Sequence, residues 1–141
     1  SKESIKIMIL TKQDLIEINK GILQEWIEKN PSDYEGVAVS DRVLDDILKA
    51  VDEQDSIILK AAHLMARIAW LQPFAGGNKR TGIVSADTLL RMSGYRLVVE
   101  NENDIEYLRK LLFEVQEERA TLNPETLAKI VLYVTKRIRR L

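Results

Sequence analysis

Apolar side chains recur every three to four residues along most of this chain, which is the spacing that places them on one face of an α-helix. Six such segments are separated by residues typical of turns and helix caps. The spacing predicts helices that begin near Thr11, Ser40 or Asp41, Asp55, Asn78, Asn101 or Asn103, and Asn123. A short extended piece is expected only behind Gly94, from Tyr95 to Val99. We therefore expect an all-α fold of about six helices, in a single domain over residues 1–141.

The segment AWLQPFAGGNKRTGI, residues 69–83, interrupts the helical pattern with a proline and the adjacent glycines Gly76 and Gly77. Adjacent glycines tolerate positive φ, so such a turn can direct backbone N–H groups at an anion. Lys79 and Arg80 follow in the first turn of a predicted helix, whose N-terminus also favours negative charge. Asn78 can cap that helix or bind a ligand through its amide. The segment predicts a phosphate site, and the alternative is a helix–turn–helix corner that carries two solvated cations.

Composition narrows the classes of function. The net charge is −1 at pH 7, so we expect no overall attraction to nucleic acid or acidic membranes, and any anion site must be local. The chain has no cysteine, which excludes disulfides and thiolate chemistry and is consistent with a reducing cytoplasm. No apolar run reaches the roughly 18 residues of a membrane span. We expect a cytoplasmic protein that has neither a membrane nor a nucleic-acid partner.

The stretch Q-P-F-A-G-G-N-K-R-T-G closely resembles the signature of Fic/Doc proteins, H-x-F-x-[DE]-[GA]-N-[GK]-R. Its N-K-R-T ending is most similar to the Doc (death-on-curing) branch, and a similarity of layout spans most of the chain. The resemblance implies a bundle of about six helices, with the motif loop between two central helices. It also implies transfer of a nucleotide moiety, or in the Doc branch of a phosphate, from Mg-bound ATP or another nucleoside triphosphate to a protein hydroxyl. The partners that it implies are a target protein such as a translation factor and a separate antitoxin-like inhibitor.

The motif can be carried over residue by residue. The resemblance implies that Phe74 anchors the loop in the core and that Arg80 binds a β- or γ-phosphate. It also assigns a flap for the target peptide to the loop at residues 31–39. The cofactor-binding residues that it implies are Gly76, Gly77, Asn78, Lys79 and Arg80.

Two departures from the family pattern bear on activity. Gln72 stands at the position of the catalytic histidine, and an amide has no usable pKa for general base catalysis, which typically contributes a factor of about 10²–10⁴ in rate. Gly76 stands at the position of the acid that binds magnesium, and it offers no oxygen ligand from a side chain. We therefore expect a degenerate family member that binds a nucleotide or phosphate, with transferase activity weak or lost. The alternatives are an active transferase that acts as the toxin of a toxin–antitoxin pair, and a helical interaction module.

Other residues that could carry chemistry have simpler structural interpretations. His63 lies on the same predicted helix as Gln72 but out of phase with it, so we expect an ordinary helix-face residue near Arg67. Asp87 and Ser85 are expected to be structural, with a rescued metal ligand as the alternative for Asp87. Trp26 is expected in the core, and Trp70 is expected in the core or in the lining of a groove, with a base-stacking platform as the alternative. The residues expected at a solvated helix end, with a nucleic-acid patch as the alternative, are Lys136, Arg137, Arg139 and Arg140. Residues 121–126 come close to the self-inhibitory pattern [ST]-x-x-x-E-[GN] of some Fic proteins but end in threonine.

Overall fold

The structure is a computed structural model, and it describes residues 10–29, 39–117 and 120–141. In these ranges the chain forms six helices and a small two-stranded sheet, which confirms the all-α prediction. The helices are α1 Lys12–Lys29, α2 Asp41–Asp52, α3 Ile57–Leu71, α4 Asn78–Met92, α5 Glu102–Glu117 and α6 Pro124–Arg137, and the strands are β1 Tyr95–Leu97 and β2 Ile138–Arg140. Across the ranges described, none of the helices has the length and apolar character that crossing a membrane requires.

Five of the six helices begin close to the predicted position and have a side-chain cap there, whereas α4 has none. The backbone N–H of Asp14 donates to Oγ1 of Thr11, and the N–H of Thr11 donates to Oδ2 of Asp14, so an aspartate completes a reciprocal cap at α1. The side chains that accept a backbone N–H at the other capped helices are Ser40, Ser56, Asn101 and Asn123. Each cap satisfies a donor that has no partner inside its helix, and this fixes where the helix begins.

Helix α3 is the centre of the packing, and its contacts position the motif loop. One face packs against α5, α6 and β1, and the other packs with α1, α2 and Phe74. Helix α4 lies very close to α3, because a Cβ built on Gly82 would stand 2.9 Å from the carbonyl oxygen of Met65. The motif loop therefore leaves the most buried helix of the bundle and enters the helix packed most tightly on it.

The two tryptophans differ in their surroundings. Trp70 is partly buried against the core, as expected. The expectation for Trp26 was wrong, because its residue is 41% exposed. The buried face of α1 is shorter than its apolar pattern suggested, and Ile22 is the last buried side chain among those described on that helix.

Arg137 corrects a second expectation, whereas Lys136, Arg139 and Arg140 are exposed as expected. The sequence pattern did not predict β2, which pairs antiparallel with β1 and places Leu97 opposite Ile138. Arg137 is not solvated, because its Nε donates to Oδ1 of Asp104 at 2.6 Å and its guanidinium lies 3.8 Å from the ring centroid of Tyr133. This hydrogen bond lowers the pKa of Asp104, although burial acts in the opposite direction. The pair ties the first turn of α5 to the last turn of α6.

Candidate phosphate-binding site

The motif loop begins and ends in left-handed backbone conformations. Gln72 caps the C-terminus of α3 at φ 48° and ψ 63°, and Gly77 precedes α4 at φ 69° and ψ 20°. Of the two adjacent glycines, only Gly77 has positive φ, so the conformational freedom of glycine is required there. A Cβ at Gly77 would also come within 3.4 Å of Ile22 and 3.5 Å of Asn19 on α1.

Asn78 holds the loop closed from inside. Its Oδ1 accepts the backbone N–H of Phe74 at 3.1 Å, and its Nδ2 donates to the carbonyl of Phe74 at 2.9 Å. The side chain is buried and both ends of its amide are engaged, so it neither caps α4 nor faces a ligand. Only the backbone N–H of Asn78 is left for an anion. Phe74 is 4% exposed within the core, which confirms that it anchors the loop.

Asn19 on α1 is a second support for the loop, and it was not among the predicted site residues. Its Nδ2 donates to the carbonyl of Gly76 at 2.9 Å and to Oγ1 of Thr81 at 3.0 Å, and the residue is completely buried. A signal was available in the sequence. Asn19 falls at helical spacing between the buried residues Leu15 and Ile22, and a buried amide needs hydrogen-bond partners.

The first turn of α4 opens into a cleft of about 470 Å³ between α4 and α5. Gly77 supplies no side-chain cap, so the first N–H groups of the helix lack the partner that a cap would provide. Lys79, Arg80 and Arg109 bring three cations to the cleft. Its apolar residues are Ile83, Val84, Ile105 and Phe113. The site thus combines unsatisfied backbone donors, positive charge and an apolar wall.

The cations of the cleft already have partners. Nζ of Lys79 lies 4.3 Å from the ring centroid of Phe113, and a guanidinium nitrogen of Arg80 lies 3.2 Å from Oε2 of Glu25 on α1. Both side chains of the Arg80–Glu25 pair are more than half exposed, so the pair is weak and can exchange for an anion. Phe113 and Arg109 were missed in the sequence. Phe113 is an apolar residue outside the buried stripe of α5, and that position was the available signal.

The two positions at which the sequence departs from the family pattern, Gln72 and Gly76, lie in the motif loop, and Gly76 is next to Gly77 of the cleft lining. Gln72 is exposed, and among the described residues its side chain makes no hydrogen bond. The nearest atom to a Cβ at Gly76 would be 3.9 Å away, on Leu23, so a side chain would have room there. The described part of the chain contains no group of three or more His, Asp or Glu side chains that could hold a metal ion. The motif loop itself, residues 72–80, offers no side-chain carboxylate to a magnesium ion.

Two residues with alternative interpretations, His63 and Asp87, have structural contacts. Nε of Arg67 donates to Nδ1 of His63 at 3.2 Å, which confirms the expected neighbour. Burial lowers the pKa of His63, and the charge of Arg67 lowers it further. Asp87 accepts the backbone N–H of Leu97 at 2.8 Å, so it ties α4 to β1 as a structural residue. Of the predicted flap at residues 31–39, all but Val39 lie outside the described residues.

The motif implied a helical bundle with the loop between two central helices. The structure has this architecture, because the loop joins α3 and α4, the two most closely packed helices. The family model that describes the Fic/DOC family matches residues 9–90, which is more than half of the chain. The chain belongs to the Fic/DOC family, which covers nucleotide-dependent transferases. Comparisons with curated proteins and with solved structures gave no match.

Proposed function

We propose that this chain is a degenerate member of the Fic/DOC family, nearest to the Doc branch, that binds a nucleoside triphosphate through its phosphates and has little or no transferase activity. The observation that carries the proposal is the cleft where the uncapped first turn of α4 meets Lys79 and Arg80. The N-K-R-T ending of the motif supports the assignment to the Doc branch.

Phosphate binding follows from the donors at this end of α4. The N–H of Thr81 is bonded to the carbonyl of Gly77, so the three preceding amides, at residues 78–80, are the ones without a partner inside the helix. These amides and the helix dipole favour an anion at the same point. Arg80 can add two parallel hydrogen bonds and Lys79 a point charge. Asn19 and Asn78 hold the bend in place before any ligand arrives, so little ordering is required for binding.

Weak or absent transfer follows from the residues at the two positions of the motif loop that depart from the family pattern. Gln72 can orient a hydroxyl by hydrogen bonding but cannot accept its proton. Gly76 leaves the magnesium position without a carboxylate, and the described residues offer no replacement cluster. Binding without transfer is therefore the function that these side chains support best.

Calorimetric titration with ATP, ADP, AMP and inorganic tripolyphosphate tests the binding. We expect saturable binding that weakens as phosphates are removed, and Arg80→Ala should weaken the affinity for ATP by at least about tenfold. Arg91→Ala is the matched control, because Arg91 is an exposed arginine on the same helix that pairs with Asp87. The proposal is wrong if neither ATP nor tripolyphosphate binds, or if the two variants behave alike.

Family membership favours a second candidate, an active transferase that modifies a protein hydroxyl. In this candidate the protein acts as a toxin on a target such as a translation factor, and an antitoxin-like partner inhibits it. Incubation of the protein with labelled ATP and a cell lysate distinguishes the two. Label transfer that depends on Arg80 would favour the active enzyme. The double variant Gln72→His with Gly76→Asp should gain transfer if only these two groups are missing. If that variant folds, binds ATP and stays inert, the assignment of roles in the motif is wrong.

A further inference from the structure

Among the residues that the structure describes, every charged side chain in the lining of the cleft is a hydrogen-bond donor. Lys79, Arg80 and Arg109 carry only N–H groups. The one amide oxygen in the lining, Oδ1 of Asn78, already accepts the N–H of Phe74. The other lining residues are apolar or glycine, and the carbonyl of Gly77 accepts the N–H of Thr81. A ligand that fills this cleft therefore meets donors at each charged side chain of the described lining.

Phe113 provides a flat apolar surface inside the same cleft. Its residue is 55% exposed, and the ammonium of Lys79 stands 4.3 Å from its ring centroid. A phosphate bound at the first turn of α4 attracts Lys79, because an ammonium gains more from a phosphate than from an aromatic ring. Movement of Lys79 toward the phosphate uncovers the ring, on which a base can stack. Phosphate binding and base stacking are coupled through this one side chain.

We propose, building on the nucleotide-binding function above, that the cleft selects 6-oxopurine nucleotides, those of guanine and hypoxanthine, over adenine nucleotides. Guanine and hypoxanthine present two neighbouring acceptors, O6 and N7, which an arginine can bind in bidentate fashion. Adenine presents a 6-amino donor in place of O6, and in this cleft that donor faces other donors. Arg109 is the residue that reads the base, since Lys79 and Arg80 belong to the phosphate end of the cleft.

Arg109 keeps guanidinium donors available for a base. Its Nη1 donates to Oε1 of Glu106, one turn earlier on α5, at 2.7 Å. Both side chains are more than half exposed, so the pair holds the arginine only weakly, and the remaining guanidinium donors stay available.

Titration with GTP, ITP, ATP and inorganic tripolyphosphate tests the inference. ITP carries O6 and N1–H where ATP carries a 6-amino group and an unprotonated N1, and it differs from GTP only in lacking the 2-amino group, so it isolates the effect of the 6-oxo form. We expect GTP and ITP to bind equally within about twofold, and each to bind at least about tenfold more tightly than ATP. Equal affinity for ATP and ITP overturns the inference but leaves nucleotide binding intact. Binding of tripolyphosphate without any gain from a base also overturns it, and absence of all binding overturns the proposed function with it.

A variant pair assigns the selectivity to Arg109. Glutamine can bind adenine through its N6 and N7, so Arg109→Gln should remove the preference for ITP over ATP or reverse it. Arg91→Gln makes the same change at an exposed arginine outside the cleft and should leave the preference unchanged. Tripolyphosphate affinity should change by less than about threefold in Arg109→Gln, which separates base reading from a general loss of charge. An unchanged ITP preference in Arg109→Gln contradicts the role of this residue.

Discussion

Two sets of residues in the motif differ in what surrounds them. The inner residues, Phe74, Asn78, Thr81 and Gly82, are buried, and each is fixed by a hydrogen bond or a close contact with a neighbouring helix or loop. The outer residues, Gln72, Gly76, Lys79 and Arg80, are exposed or partly exposed. The outer set contains both departures from the family pattern.

This difference separates the requirements of the fold from those of the chemistry. Changing an inner residue leaves a buried polar group unpaired or forces two helices apart, and both effects cost stability. Changing an outer residue alters what the cleft can bind or react with and leaves the core intact. The loss of a catalytic base and a metal ligand that we propose is therefore compatible with an undisturbed loop. Variants in each set test whether the two sets are independent.

The largest expected change in stability comes from a substitution of an inner residue, Asn78→Ala. Removal of the amide leaves the N–H and the carbonyl of Phe74 without partners in a buried loop. We expect the free energy of unfolding to fall by about 3 kcal/mol, measured by urea denaturation. Asn103→Ala is the control, because Asn103 is exposed in the first turn of α5, and it should change stability by less than about 0.5 kcal/mol. Similar losses in the two variants would mean that the inner residues do not support the loop.

A pair of glycines tests the contact between α3 and α4. A methyl group at Gly82 would meet the carbonyl oxygen of Met65 at 2.9 Å, whereas a methyl group at Gly21 on α1 would meet nothing within 4 Å. Gly82→Ala should lower the free energy of unfolding by about 2 kcal/mol, because backbone must shift to admit the side chain. Gly21→Ala should raise it by about 0.5–1 kcal/mol, since alanine is the better helix former. Chemical denaturation of both variants gives the sign, and stabilisation by Gly82→Ala would contradict the close packing.

The inner residues were only partly predictable from the sequence. Phe74 was expected in the core, and the caps at Thr11, Ser40 and Asn123 were read from local chemistry that needs no tertiary context. The role of Asn78 was not predicted, because a local cap and a bond back to Phe74 use the same residue type. Asn19 lies 57 positions before its partner Gly76, and no local pattern specifies a hydrogen bond at that separation.

The cleft was less predictable than the loop, for a similar reason. Gly77, Lys79 and Arg80 lie within four consecutive positions, so the sequence itself indicated that they belong to one site. Arg109 and Phe113 reach the cleft only because α5 packs beside α4, and this arrangement depends on the whole bundle. Strand β2 was missed because three residues with two arginines carry almost no strand signal until β1 is there to pair with them.

Substitution of Glu25, the partner of the outer residue Arg80, is expected to have a smaller effect, on the affinity for tripolyphosphate. Its carboxylate lies 3.2 Å from the guanidinium of Arg80 and competes with a phosphate for the same donors. Glu25→Gln should raise the affinity for tripolyphosphate by about fivefold, or about 1 kcal/mol, and should change stability by less than about 0.5 kcal/mol. Glu28→Gln removes the same charge from an exposed position on the same helix and should have less than about a twofold effect on affinity. Equal gains in the two variants would show a general charge effect and no specific competition for Arg80.

The smallest expected effect concerns pH and the only histidine of the chain, His63 on α3. Burial and the neighbouring Arg67 hold the folded-state pKa of His63 below its ordinary value of 6.5, which is close to the value expected in the unfolded chain. The unfolded state therefore binds the proton more readily than the folded state does. The contribution of His63 to stability is complete above the unfolded pKa of 6.5, and it is lost as the pH falls through the lower pKa of the folded state. Urea denaturation at several pH values from about 7.5 down to about 5 should show that the free energy of unfolding of the wild type decreases as the pH decreases. The decrease should be smaller in His63→Gln. The amide oxygen of glutamine can still accept the Nε–H of Arg67. The outer residues include neither a histidine nor a carboxyl group, so an equal fall in both proteins would point to titration elsewhere in the bundle and would contradict the assignment of the pH dependence to α3.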